Sequence, residues 1–271
     1  MAALGWGYIR TKIKNQRVKF LSFILIVSIL FSCKKKEIFD GPNSYSDGFE
    51  NYSSIEKLID GDDEQWSFFQ NTHDQTTMSI DSNFKHSGNW SFKSEAAAST
   101  GESDVVKASI NKQFMAFWEG EIVHISMWYY MIGNDNVTWV FLFDLEEKTA
   151  IGAGPGMRLA LVDGSLRVEH KFPNPDIKQN ESNEILFPRD QWVHVEFETK
   201  LSQKEKGYVK VWQDDILILE QENWQTLPKD ILYFQQGTKA MYSQIEFGVT
   251  AHTNTIPVTV YVDDIEVKVI N

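Results

Sequence analysis

The chain has a single cysteine, Cys33, among its 271 residues. One cysteine excludes an internal disulfide framework and any multi-cysteine zinc site. Basic clusters are equally scarce. Apart from the first nineteen residues, the longest run is "KKK" at 34–36, in a chain whose formal net charge is −12. Such a body repels nucleic acid, which excludes that class of partner. No apolar run reaches the roughly 20 residues that a membrane-crossing helix needs. Helical periodicity is nearly absent, with one or two turns at 53–59 after a serine cap. No internal repeat and no second linker break the sequence after residue 47.

What is present begins with a targeting segment. Residues 1–19 carry Arg10, Lys12, Lys14, Arg17 and Lys19 and no acid. They precede "FLSFILIVSILF" (20–31), and then Ser32 and Cys33. A basic stretch, a short apolar stretch and a small residue are the parts of a secretory signal. With Leu30, Ser32 and Cys33 in place, the segment resembles a bacterial lipoprotein signal. That resemblance implies cleavage before Cys33, acylation of Cys33, and attachment to a membrane through lipid alone, in the outer membrane of a bacterial envelope. Loss of the five positive charges takes the net charge from −12 to −17. The expected division is a signal at 1–32, an acylated cysteine with a polar tether at 33–46, and one monomeric domain at 47–271.

In that domain the side chains alternate with period two, the signature of half-buried strands. "EIVHISMWYYM" (121–131) places Ile125, Met127, Tyr129 and Met131 on one face, with His124, Ser126, Trp128 and Tyr130 on the other. "QWVHVEFET" (191–199) buries Val193, Val195 and Phe197. "MRLALVDGSLRVEHKF" reads as a hairpin turning at Asp163-Gly164, and "GYVKVWQDDILILE" as another turning at Asp214-Asp215. Strands at short intervals without intervening helices predict an all-β fold, an antiparallel two-sheet β-sandwich. Two long polar stretches, 173–190 and 221–243, are the places where function concentrates in such a fold. Near the C-terminus "YVDDIEVKVI" sets Asp263 and Asp264 side by side, so the strand either turns one carboxylate toward the face of Val260 and Val262 or bulges.

The order "DGFE" (47–50), "KHSGNWSFK" (85–93), "QWVHVEF", "GYVKVWQDD" and "YVDDIEV" resembles the concanavalin A-like jelly rolls. These include laminin-G-like binding domains and the heparin-lyase and alginate-lyase group of polysaccharide lyases. The resemblance implies that the first and last strands lie close together and share a structural Ca2+, held by Glu50 with Asp263 or Asp264. It also implies two kinds of sugar chemistry. As a binding module, the domain would hold a polysaccharide on Trp128, Arg167, Lys171, Trp224 and Tyr233. As a lyase, it would use Arg158 to neutralise a uronate, His170 or His124 as base, and Tyr130 as acid. The surface expected to carry either role gathers His124, Trp128, Tyr130, Arg158 and His170. A laminarinase-type hydrolase would need E-x-D-x-x-E on one strand, and in "LFDLEE" Leu142 stands where the first acid belongs. Binding is the leading expectation, with β-elimination and a purely adhesive surface role as alternatives.

Overall fold

A computed structural model of the chain describes residues 35–37, 40–59, 65–149, 152–153, 156–170, 175–228 and 237–270. The signal segment, Cys33, Lys171 and Tyr233 lie outside the described residues. So do the readings attached to them.

Among the described residues sixteen strands follow one another: β1 (Ser44–Asp47), β2 (Phe68–Asn71), β3 (Thr77–Asp81), β4 (Ser91–Ala96), β5 (Val106–Trp118), β6 (Ile122–Met131), β7 (Trp139–Glu146) and β8 (Lys148–Thr149). Then come β9 (Gly152–Ala153), β10 (Met157–Val162), β11 (Ser165–His170), β12 (Trp192–Lys200), β13 (Gly207–Gln213), β14 (Ile216–Trp224), β15 (Met241–His252) and β16 (Val258–Ile270). A 3-10 turn, Ile55–Leu58, lies between β1 and β2.

Two antiparallel sheets form the sandwich. The eight-stranded one runs β14-β13-β12-β6-β16-β4-β3, with β1 also pairing to β16. The six-stranded one runs β11-β10-β7-β15-β5-β2. Strands adjacent in sequence alternate between the sheets as well as within them, which makes the jelly-roll arrangement expected from the alternating pattern.

The inward faces follow the period-two reading. In β6 the buried residues are Val123, Ile125, Met127, Tyr129 and Met131. In β12 they are Val193, Val195 and Phe197, together with Thr199. Phe143 of β7 meets Phe197 of β12 edge to face across the interior at 5.0 Å, and lies against Phe247 of β15 at 5.7 Å. Such rings bury the largest apolar area per residue and favour this offset geometry, so they set the spacing of the two sheets.

The Asp263-Asp264 pair is a bulge. Register with β6 slips between Asp263 and Glu266, and Asp264 takes φ 46°, the left-handed region that Asp tolerates better than most residues. The bulge lets Val262 and Ile265 both face the core despite being three residues apart.

Candidate functional site

Each sheet presents one face away from the core, and the two faces differ in chemistry. The outer face of the eight-stranded sheet is aromatic. Its residues come from alternate positions of β6 and β12, with a loop at 82–90 laid over them. The His86 ring stacks on Trp128 at 3.6 Å and 12°, and Trp128 stacks on His194 at 4.8 Å. Tyr130 contacts Phe84 at 5.1 Å and Trp192 at 5.6 Å. His124 Nε2 lies 3.0 Å from Glu196 Oε2.

Carboxylates hold that loop down. The His86 and Ser87 backbone N–H groups donate to Asp263 Oδ2 at 2.8 and 3.3 Å. Ser87 Oγ donates to Asp264 Oδ1 at 2.9 Å, and His86 Nδ1 lies 2.7 Å from Asp264 Oδ2. Glu50 Oε1 accepts from the N–H groups of Asn89 and Trp90, and Oε2 from Asn89 Nδ2. Gly88 takes φ 57°, where glycine is favoured, and a Cβ there would press on the Glu50 carboxylate. Asp263 is fully buried, and burial pushes its carboxyl up to about 6, against the pull of those N–H groups. Glu50, Asp263 and Asp264 thus all converge on one loop, as the terminal-strand proximity requires. Glu50 Oε2, Asp263 Oδ1 and both Asp264 oxygens carry one hydrogen bond each, leaving a lone pair for a cation.

The outer face of the six-stranded sheet is charged. Cross-strand register puts Glu169, Arg158, Asp144, Glu246, Asn111 and Phe68 in one transverse row over β11, β10, β7, β15, β5 and β2. The neighbouring row carries Glu146, Gln244 and Gln113. Arg158 Nε stands 3.4 Å from Asp144 Oδ1 and 3.6 Å from Glu169 Oε2, and its guanidinium lies 4.1 Å over the Phe141 ring. Burial raises the Glu169 carboxyl in spite of Arg158 beside it. Lys107 Nζ lies 3.8 Å from Glu246 Oε1, which also accepts from Ser109 Oγ. Gln244 Nε2 donates both to Asn111 Oδ1 at 2.9 Å and to Glu146 Oε2 at 3.0 Å. Asp144, Glu146 and Glu246 bring ligand atoms within 4.8 Å of one another, all of them buried.

The sequence expectations divide over these two faces. His124, Trp128 and Tyr130 belong to the eight-stranded sheet, whereas Arg158, Arg167 and His170 belong to the six-stranded one. The single surface expected to gather them does not form, because β6 and β10 lie in different layers with the core between. His170 also departs from Arg158 within its own hairpin. It pairs with the buried Met157 on the core side, meets the Trp224 ring at 4.1 Å, and burial pulls its pKa down to about 3. A ring so placed cannot reach a glycan on the opposite side of the sheet. Trp224 ends β14 and is 8% exposed, so it is a packing residue and offers no open platform. Arg167 remains on the charged face, 3.9 Å from Asp176. The reading of the residues missed Asn111, Gln244 and Glu246. Their signal was available: Ser109 and Asn111 flank Ile110, and Gln244 and Glu246 flank Ile245, polar and apolar in alternation.

A jelly-roll sandwich with a charged, amide-bearing face across one whole sheet is an architecture of glycan-handling proteins. The polysaccharide lyase family model matches residues 59–266, and the chain belongs to that family. No curated protein matches the sequence. Among solved structures, the chain is similar to an endo-β-1,4-glucuronan lyase from the fungus Trichoderma reesei, with TM-score 0.61 and 13% identity over 84% of this chain and 95% of that one. The cellulose-induced protein Cip1 follows at TM-score 0.57 and 16% identity, over 82% and 95%. An alginate lyase from Aplysia kurodai aligns at TM-score 0.52 and 11% identity, over 85% and 100%. At these identities the structural likeness concerns the fold.

Proposed function

We propose that the protein is a polysaccharide lyase that cleaves a uronate-containing glycan by β-elimination on the charged face of the six-stranded sheet. The observation that carries this reading is the Glu169–Arg158–Asp144–Glu246–Asn111 row, lying within the segment that matches the lyase family. A sandwich whose outer face served solubility alone would expose its charges singly, whereas Asp144, Glu246 and Asn111 are buried and Arg158 is tied to both Asp144 and Glu169.

In β-elimination a base removes the proton at C5, its electron pair forms the C4–C5 double bond, and the C4–O bond breaks. The leaving oxygen then takes a proton. Removal at C5 requires the adjacent carboxylate to be neutralised, and Arg158 is the residue assigned to it. The carboxylates of Asp144, Glu146 and Glu246 supply the base. Neither His170 nor His124 has that role, since neither faces this row.

Incubating the protein with a panel of uronate polysaccharides should raise the ultraviolet absorbance of the new unsaturated ends. No rise on any of them would remove the lyase reading. Binding without cleavage is the second reading, favoured by the absence of His and Tyr from the two rows among the described residues.

Two further proposals concern the setting. Acylation at Cys33 would hold the body on the outer membrane, and labelled fatty acid should be incorporated by the native chain and not by C33S. A structural Ca2+ would bridge Glu50 to the Asp263-Asp264 bulge, supported by the convergence of these carboxylates on the 86–90 loop.

A further inference from the structure

We infer that the outer face of the eight-stranded sheet carries a Zn2+ site made of His194, Glu196 and Asp215. It lies on the sheet opposite the charged face and does not depend on what that face does.

The backbone builds it. His194 and Glu196 are alternate residues of β12, so both side chains stand on the outer face, beside Trp128 and Ser126 of β6. Asp215 comes from the turn between β13 and β14, where Asp214 and Asp215 take φ 48° and 64°. Two hydrogen bonds pin that turn to β12. The His194 N–H donates to Asp214 Oδ1 at 2.9 Å, and the Asp214 N–H donates to the His194 carbonyl at 2.9 Å. Ligand atoms of His194, Glu196 and Asp215 thereby come within 4.8 Å of one another.

Distance separates an ion site from an ion pair here. His194 Nδ1 and Asp215 Oδ1 are 4.0 Å apart, too far for a hydrogen bond. Two donors each about 2.1 Å from one Zn2+ stand about 3.4 Å apart in a tetrahedron and about 4.2 Å apart when opposed. The gap therefore has the width of an ion. As a bare ion pair the contact would be worth little, because the Asp215 side chain is 92% exposed. That exposure also gives an ion its way in and lets the carboxylate close on it.

The neighbours supply a second, independent observation. With an ion on Nδ1 the ring proton sits on Nε2, and Ser126 Oγ stands 2.8 Å away to accept it. His124 Nε2, 3.0 Å from Glu196 Oε2, steadies one oxygen of that carboxylate and leaves it a second for the ion. Trp128 stacks on the His194 ring at 4.8 Å and 20°, which restricts its rotation. Outer partners that orient a ligating imidazole and a ligating carboxylate are what metal sites require. One imidazole with two carboxylates suits Zn2+ better than Ca2+, whose ligands are oxygens. The ion would tie β12 to the β13–β14 turn and fix the ring stack under the 82–90 loop.

The test titrates the full chain with Zn2+ by calorimetry, on a C33S background so that no thiol competes. One ion should bind per chain. H194F keeps a ring on Trp128, and D215N keeps a residue that tolerates the left-handed turn; each should weaken binding by more than about tenfold. S126A, which loses only the support of Nε2, should weaken it about tenfold. D214N removes the same charge one residue away and should bind nearly as its parent does. Zn2+ should also raise the thermal midpoint of the parent and not of D215N. Absence of one-to-one binding overturns the inference, as does binding that H194F and D215N leave unchanged. So does a loss in D214N as large as in D215N, or displacement of the zinc by excess Ca2+.

Discussion

The His86 ring lies flat on Trp128, 3.6 Å between centroids, while its Nδ1 reaches Asp264 Oδ2 at 2.7 Å. A loop residue is thereby joined both to the aromatic outer face and to the bulge of the last strand. Asp263 fastens the same loop from below through two backbone N–H groups. Both adjacent acids therefore hold the loop, an arrangement the bulge permits by turning them to the same side.

Replacing Asp263 by alanine removes the acceptor that the His86 and Ser87 N–H groups share in part-buried hydrogen bonds. The expected loss is about 0.5–1.5 kcal/mol for each hydrogen bond removed, read from the urea midpoint. Asp263→Asn keeps an acceptor and should lose less.

The same carboxyl sets a pH dependence. Its folded value of about 6 lies above its ordinary 3.8, so the folded state binds the proton more tightly than the unfolded chain. Stability from this group is full below about pH 4 and is lost as pH rises through 6, amounting to at most about 3 kcal/mol. His170 and His252, held near 3 and 4 by burial, have the opposite sign: their contribution is present above pH 6.5 and lost on acidification. The wild type minus D263N difference isolates the carboxyl, and wild type should lose ground to D263N between pH 4 and 7. A flat difference would contradict the assignment.

If Ca2+ bridges Glu50 and the bulge, adding the ion should raise the thermal midpoint and chelator should lower it. A cation present at 100 times its dissociation constant stabilises by about 2.7 kcal/mol. E50Q should abolish most of the response, and an unchanged melting curve would dismiss the ion.

On the charged face, Arg158→Ala should lower cleavage about a hundredfold or more, as loss of a charge-stabilising contact does. It also frees Asp144 and Glu169 of their partner, so circular dichroism must accompany the assay. His170→Leu should leave cleavage near the wild-type rate and reduce acid sensitivity. A large loss of turnover in H170L would restore His170 to the chemistry.

Individual strands were legible in the sequence because burial on one side writes itself as alternation. Ile125, Met127 and Tyr129 were read correctly, and so were Val193, Val195 and Phe197. The Asp163-Gly164 and Asp214-Asp215 turns sit at the hairpin tips, with Asp163, Asp214 and Asp215 all at positive φ. Which strands share a sheet was not legible. Pairing between distant strands depends on register and long-range contacts that no local pattern encodes. Tyr130 and Arg158, expected on one surface, therefore lie in different sheets. Trp224 misled for a related reason: a polar neighbourhood in sequence, "QENWQT", surrounds a ring that the fold turns inward against His170.

The first strand lies beside the last, Ser44 opposite Lys268, and the Val269 N–H donates to the Asn43 carbonyl at 3.0 Å. The body is thus almost a closed ring of chain. A short peptide could splice its two ends together without disturbing either layer, and fresh ends could then be opened at a surface turn such as Asp214-Asp215. Reordering the sequence in this way would preserve the architecture, because neither sheet depends on where synthesis starts.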